Sequence, residues 1–302
     1  YQVAATAFET VHESIIADVE AVKEDAVRSY GEESVENTCR ITRWACYALL
    51  ADLYLWKGDW QKCIDCCDMV INQKIKEYEK EYEENPTTMT VELYDIYPLI
   101  SESLSNSNYA GNAYTEIFGA GNSFESIFEL NFVNNQSVAN NTVSSFYGSS
   151  SNKTGQIGAP TFLYSDAYAG LNDYFAKTDC RYLENMSESN NKIYISKYVN
   201  QSVSFRTSTT TGAAPTVNGE VRSSAYANWI IYRLTDVMLM RAEAEIALAG
   251  NVEAGMTLTE EQLQHYRNAF SCISAVWKRA NNKRTSSTGL LVFDEYATSR
   301  LA

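Results

Sequence analysis

Apolar residues recur at helical spacing in several stretches of the chain, and two of these read as helical hairpins. Phe8, Val11, Ile15, Val19 and Val22 fall three or four apart, opposed by Glu9, Glu13, Asp18 and Glu24, which predicts a first amphipathic helix with that apolar face inward. Over residues 38–71, Ile41, Ala45, Ala48, Leu49, Leu53 and Trp56 form a stripe that ends at Lys57-Gly58-Asp59-Trp60. Gly58 can take the left-handed conformation that stops a helix, and Asp59 can cap the next one. Cys63, Ile64, Cys67, Val70 and Ile71 continue the pattern, and the small residues Ala45, Ala48, Ala51 and Cys63 predict a close helix–helix seam. Residues 74–84 (KIKEYEKEYEE) predict a solvated helical extension. A second hairpin is predicted over 232–280. Its first helix carries Leu234, Val237, Met238, Ala242, Glu245 and Leu248 and stops at Ala249-Gly250-Asn251. Its second helix, about 260–280, places Leu263, Tyr266, Phe270, Ile273 and Trp277 on one face. The hairpin tryptophans Trp44, Trp56 and Trp277 are expected in the core.

The middle of the chain has another pattern. FESIFELNF (124–132) reads as a strand, whereas residues 133–159 and 202–224 are more than half Asn, Ser, Thr and Gly and read as long loops. Long loops on an ordered frame are common places for function. Phe146, Tyr147 and Phe205 within them argue for order rather than disorder.

Length and composition then narrow the class. With 302 residues the chain is one large domain or two ordinary ones, and 45% apolar content excludes wholesale disorder. Lys plus Arg is 24 against 38 for Asp plus Glu, a formal charge of -14, which argues against a nucleic-acid partner. The longest apolar run, Trp44 to Ala51, is eight residues, far short of the roughly twenty a membrane-spanning helix needs. The unusual feature is aromatic content: 21 Tyr, 11 Phe and 5 Trp. Tyrosine in excess suits wet binding surfaces such as sugar platforms and protein interfaces, and equally suits half-buried positions on a helical scaffold. Amphipathic helix at both ends predicts a piece of a longer protein, with no leader segment to read.

Three clusters carry candidate chemistry. Arg241, Glu243 and Glu245, with Arg233 and Asp236 nearby, are dense charge on an apolar helix. Glycoside hydrolysis needs paired carboxylates, but Glu243 and Glu245 are two apart and point to different faces. Arg233, Asp236 and Glu243 are therefore expected to pair with neighbouring elements rather than catalyse. Cys63, Cys66 and Cys67 form C-x-x-C-C in mid-helix, with the only histidines, His12 and His265, distant in sequence. Packing is expected of them rather than metal or redox chemistry, although a bridge from Cys46 to Cys63 or Cys67 stays open. The nucleotide-binding and common hydrolase motifs are missing. No catalytic residue, cofactor or metal site is expected.

Four stretches together carry a resemblance: ITRWACYALLADLYLWKGDWQKCIDCCDMVI (41–71), FESIFELNF (124–132), TDCRY (178–182) with ISKY (195–198), and NWIIYRLTDVMLMRAEAEIALAG (228–250). The first contains A-x-L-x3-Y-x3-G-D-W-x2-C and is similar to a tetratricopeptide unit. The last follows R-x-x-D-V-x-L-x-x-A-E-A. In this order they resemble the C-terminal two thirds of the SusD/RagB family, nutrient-binding outer-membrane lipoproteins of Bacteroidetes.

The resemblance implies a mostly α fold of tetratricopeptide-like helix pairs with long loop excursions and a few short strands. It implies one SusD-like domain over 1–302, incomplete at both ends, with a helical frame at 1–84 and 230–302 and a loop-rich ligand-facing insert at 85–229. It implies a non-enzymatic glycan receptor at the outer-membrane cell surface, delivering its ligand to a SusC-like TonB-dependent transporter, with a lipid anchor outside this sequence. The competing readings are a tetratricopeptide-like protein-binding scaffold, which calls for more repeats about 34 residues apart than the two hairpins seen, and a glycoside hydrolase. Ligand contacts are expected from the middle of the chain: Tyr109, Tyr114, Phe146, Tyr147, Tyr164, Tyr168 and Tyr174 as ring platforms, with Asn112 and Asp173 as polar partners.

Overall fold

The computed structural model describes residues 5–102, 104–105, 108–109, 112–133, 138–148, 155–160, 179–189, 192–206, 216–251 and 257–281. The elements in order are α1 (Phe8–Val22), α2 (Ser34–Cys39), α3 (Arg43–Lys57), α4 (Trp60–Glu84), β1 (Val91–Tyr94), β2 (Tyr97–Ile100), β3 (Leu104–Ser105) and β4 (Asn108–Tyr109). Then come α5 (Asn112–Tyr114), running into a π-helical turn at Thr115–Ala120, β5 (Ser126–Leu130), α6 (Asn141–Phe146), α7 (Cys180–Asn185), β6 (Met186–Ser189) and β7 (Lys192–Ile195). β8 (Asn200–Arg206), β9 (Thr216–Val221), β10 (Trp229–Arg233), α8 (Leu234–Ala249) and α9 (Glu260–Ala280) complete the described chain. The protein is mostly α, with short antiparallel strands between two helix pairs.

The α3–α4 turn shows how the sequence sets the frame. Thr42 opens α3 by accepting the Ala45 amide at 3.3 Å. Gly58 closes it at φ 76°, donating to the Leu55 carbonyl at 3.1 Å, while Asp59 donates to the Tyr54 carbonyl at 3.0 Å. This pair of bonds is the glycine-dependent helix ending in which the chain reverses into the next helix. A Cβ at position 58 would meet the Trp60 ring at 3.4 Å in a backbone region that β-branched residues avoid. Gly58→Val is therefore expected to cost about 1 kcal/mol or more. Thermal denaturation checks this, and an unchanged melting temperature would mean that the turn does not depend on glycine.

α3 packs on α4, α4 on α8 and α8 on α9, so the two pairs form a row with α1 on its outer side against α3. Fully buried Ala48, Ala51, Cys63, Cys67, Ala244, Cys272 and Ala275 make the seams, and Leu50, Leu234, Val237 and Met238 fill the space between them. The α4–α8 contact is what joins the two hairpins, distant in sequence, into one core. None of the seven cysteines forms a disulfide, and six of them are buried. Cys63 and Cys67 lie inside α4 as packing residues, and burial pushes the Cys66 thiol up to about 12, well away from the reactive range.

Several faces differ from the pattern reading. α1 turns His12 and Ile16 inward, while Phe8, Val11, Ile15 and Val22 are exposed. The reason is polar: Tyr54 donates to Glu20 at 2.8 Å and Tyr47 to Glu24, and these bonds fix the rotation of α1 on α3. α9 likewise buries Ala269, Cys272, Ser274 and Ala275 and leaves Ile273 exposed, because close approach to α8 selects the small-residue face. Ile41 lies outside α3 and is exposed, and Trp56, expected in the core, is 75% exposed. Residues 202–224, read as a loop, contain most of the β8–β9 hairpin; alternation around Val203 and the β-branched content of this polar stretch carry the strands.

Two of the resemblance stretches meet in space. β5 from FESIFELNF pairs antiparallel with β10 from NWIIYR, with Trp229 opposite Leu130 and Ile230 opposite Glu129. Arg233 then starts α8, its N–H donating to Asp236 at 3.1 Å, and the Leu234 N–H donates to the Glu125 carbonyl at 2.8 Å. The strand thus feeds directly into the helix of the frame. Glu129 is fully buried in β5, accepting from the Asn122 amide and the Asn228 side chain, each at 3.0 Å, and from the Ser126 hydroxyl.

Candidate functional site

A shallow cleft of about 50 Å³, open to solvent, lies where α6, the Tyr198–Val199 turn, the end of β9 and the segment 222–227 converge. Val143, Val199, Val221 and Ala227 give it an apolar floor, and Ser144, Ser223 and Ser224 line it with polar groups. Arg222 stitches the cleft to the π-helical turn. Its Nε donates to the Tyr198 carbonyl at 3.2 Å, its Nη2 donates to the Gly119 carbonyl at 2.5 Å and to Phe118, and its guanidinium lies 4.8 Å from the Tyr226 ring centre. Asn140 anchors the opposite wall, its amide donating to Ala225 at 2.7 Å and its side chain to Ala227 at 2.8 Å.

An aromatic stack backs the cleft. Tyr198 lies nearly parallel to Trp229 at 5.5 Å between ring centres, and Phe118 meets Tyr198 edge-on at 5.3 Å. Tyr198 is held at φ 69°, a conformation that costs a non-glycine residue about 1–3 kcal/mol and persists only under strong surrounding restraint. The Lys197 ammonium sits 4.5 Å from the centre of the Phe118 ring. Burial, and then the charge of Arg233, pull its pKa down to about 8. Between pH 8 and 10 the unfolded chain therefore holds the Lys197 proton more tightly than the folded one, so this group adds stability as pH rises through that window. Buried thiols act in the opposite direction, so the effect is read by difference. Lys197→Met is expected to stabilise the protein more at pH 7.5 than at pH 10, as measured by melting temperature. A gap that stays constant with pH would contradict the assignment.

Of the nine residues expected to contact ligand, Phe146 and Tyr147 lie beside this cleft. They end the same short helix that supplies Val143 and Ser144. Phe146 is exposed, and Tyr147 is half-buried against the cluster of Val143, Tyr198, Val199 and Ala227. The Ile157 amide, donating to the Phe146 carbonyl at 2.8 Å, clamps this end. Tyr114 is a core residue, not a platform. It is 1% exposed, and its hydroxyl donates towards the Ser196 and Asn200 carbonyls at 2.9 and 3.1 Å, bracing the start of β8. Tyr109 lies in β4 opposite Phe205 of β8, and Asn112 opens α5. Tyr164, Tyr168, Asp173 and Tyr174 lie outside the described residues. Tyr198, Trp229 and Arg222 carry no pattern signal of their own. Tyr198 and Trp229 sit in ISKY and NWIIYR, where a frame reading absorbs them.

The charged cluster on α8 is structural. Glu245 is 2% exposed and bonds Arg241 Nη1 at 3.1 Å, Asn268 Nδ2 at 3.0 Å and the His265 ring. Arg241 reaches across to Asp68 of α4 at 2.6 Å. Glu243, expected to pair, instead faces solvent, and the inward Glu245 takes that role. The lining of the cleft offers hydroxyls, ring faces and a guanidinium whose Nε and Nη2 already donate to carbonyls. That set can hold a polar ligand with apolar faces.

The SusD family model matches residues 105–288. Among solved structures, a SusD superfamily protein from Bacteroides vulgatus is similar at 17% identity and TM-score 0.48, over 90% of this chain and 47% of that one. A second, from Bacteroides fragilis, is similar at 16% identity and TM-score 0.48, over 96% and 55%. A SusD-like carbohydrate binding protein from Bacteroides vulgatus is similar at 11% identity and TM-score 0.46, over 92% and 52%. The chain spans about half the length of these structures. No curated protein matches it significantly. The matched family segment runs from β3 through the cleft, the paired strands and both helices of the second hairpin, more than half of the chain, and the protein belongs to the SusD family.

Proposed function

We propose that this protein is a non-catalytic glycan receptor at the outer-membrane cell surface, which captures oligosaccharide and delivers it to a SusC-like TonB-dependent transporter. Membership of the SusD family carries the reading. In this proposal the helix row over 1–84 and 230–302 is the frame and the insert over 85–229 faces the ligand. The cleft beside Phe146 and Tyr147 fits the chemistry: sugar rings stack their C–H faces on aromatics, and their hydroxyls bond serines and carbonyls with little ordering cost on a fixed scaffold. No helix among the described residues is long and apolar enough to cross a membrane. Attachment in this reading is through a lipid anchor. Screening the purified chain on a glycan array, and analysing the retained oligosaccharide for cleavage, tests both parts. Retention without cleavage is expected. Cleavage would make it a hydrolase, and failure to retain any glycan would remove the reading.

A further inference from the structure

We propose that Glu102, Cys180 and Glu184 form a buried site for a divalent cation of the zinc type, independent of the glycan cleft. The three come from distant parts of the chain. Glu102 follows β2, and Cys180 and Glu184 lie one turn apart on the same face of α7. One carboxylate oxygen from each glutamate and the Cys180 sulfur all lie within 4.8 Å of one another. Around a tetrahedral zinc ion, ligand atoms stand roughly 3.3–3.8 Å apart, so a small rotation of these side chains closes the set. All three residues are buried, with exposures of 2%, 1% and 6%.

The second observation is at Glu184. Its Oε1 is sealed from solvent and has no hydrogen-bond partner, an expensive state for a carboxyl oxygen inside a protein. Of the nearby guanidinium groups, Arg279 bonds Glu125, and Arg181 holds Asp179 at 2.7 Å. A dication satisfies both carboxylates and the orphaned oxygen together.

The donor set chooses the ion. Calcium and magnesium take oxygen ligands, whereas a thiolate beside two carboxylates suits zinc and its neighbours in the transition series. Three protein ligands leave one position for water. Binding displaces the thiol proton and any proton shared by the carboxyl pair, so uptake releases protons. Cys180 packs against Tyr114 and Val203, so a bound ion would brace the layer beneath β8.

The test uses the intact chain, dialysed against chelator and then loaded with zinc or cobalt. About one zinc per chain is expected by elemental analysis, with a melting temperature raised by zinc. Cobalt should give a thiolate charge-transfer band that Cys180→Ser abolishes. Glu184→Gln should weaken zinc binding at least tenfold, which covers the case of a Cys180 variant that fails to fold. A wild-type chain that holds no zinc overturns the proposal. So does a cobalt–thiolate band that survives Cys180→Ser, since it would then arise from the α4 cysteines.

Discussion

Replacing Arg279 by alanine is expected to lower stability by about 3–5 kcal/mol, because it strands a buried carboxylate. Glu125 has no exposed surface, and Arg279, at the end of α9, bonds its Oε1. The Ile100 amide of β2 donates to the same oxygen at 3.0 Å, and the Glu125 backbone carbonyl receives the first amide of α8. One ion pair therefore ties together α9, the first hairpin strands, the approach to β5 and the start of α8. The pair is not a source of stability in itself, since burying both charges costs about what their attraction returns. Loss of one partner is what hurts. Urea denaturation of Arg279→Ala measures it, and Arg279→Met with Glu125→Gln should recover a large part of the loss. A single variant within about 0.5 kcal/mol of wild type would show that water reaches Glu125.

The second large effect is at Glu245. Glu245→Ala is expected to cost about 2–4 kcal/mol, since Arg241, Asn268 and His265 all turn to this carboxylate, while Arg241 keeps Asp68. Glu243→Ala, two residues away on the exposed side, should stay within about 0.5 kcal/mol. Chemical denaturation of the two variants separates a structural carboxylate from a solvated one. Equal losses would contradict the assignment of faces on α8.

The frame was legible because its signals are local. Helical spacing with Gly58 and Gly250 as stops places the ends of α3 and α8 and the start of α4, though α3 begins at Arg43 rather than 38, and the small residues at Ala48, Ala51 and Cys63 announce the seam. The rotation of a helix is a different matter. α1 carries an apolar face that points away from the core and α9 leaves Ile273 exposed, because tyrosine–glutamate bonds and close small-residue packing outweigh the larger hydrophobic side chains. The cleft was legible only in part. Phe146 and Tyr147 stood out in a polar stretch, but Tyr198 and Trp229 come together only through the β5–β10 pairing and the turn before β8. Tyr114 looked like a surface ring because nothing local reveals that β8 will cover it. Glu102, Cys180 and Glu184 carry no motif at all, since their proximity is a product of the fold.

The central claim is that a family frame presents an aromatic-edged cleft to a glycan. The most direct measurement is calorimetric titration of the best array glycan into wild type and Tyr147→Ala, with melting temperatures recorded for both. Removal of one stacking ring should weaken binding by about 1–3 kcal/mol, roughly five- to 150-fold, with the protein still folded and only a modest fall in melting temperature from the lost packing on Val143 and Tyr198. Equal affinity in the two proteins would contradict the placement of the glycan beside Tyr147.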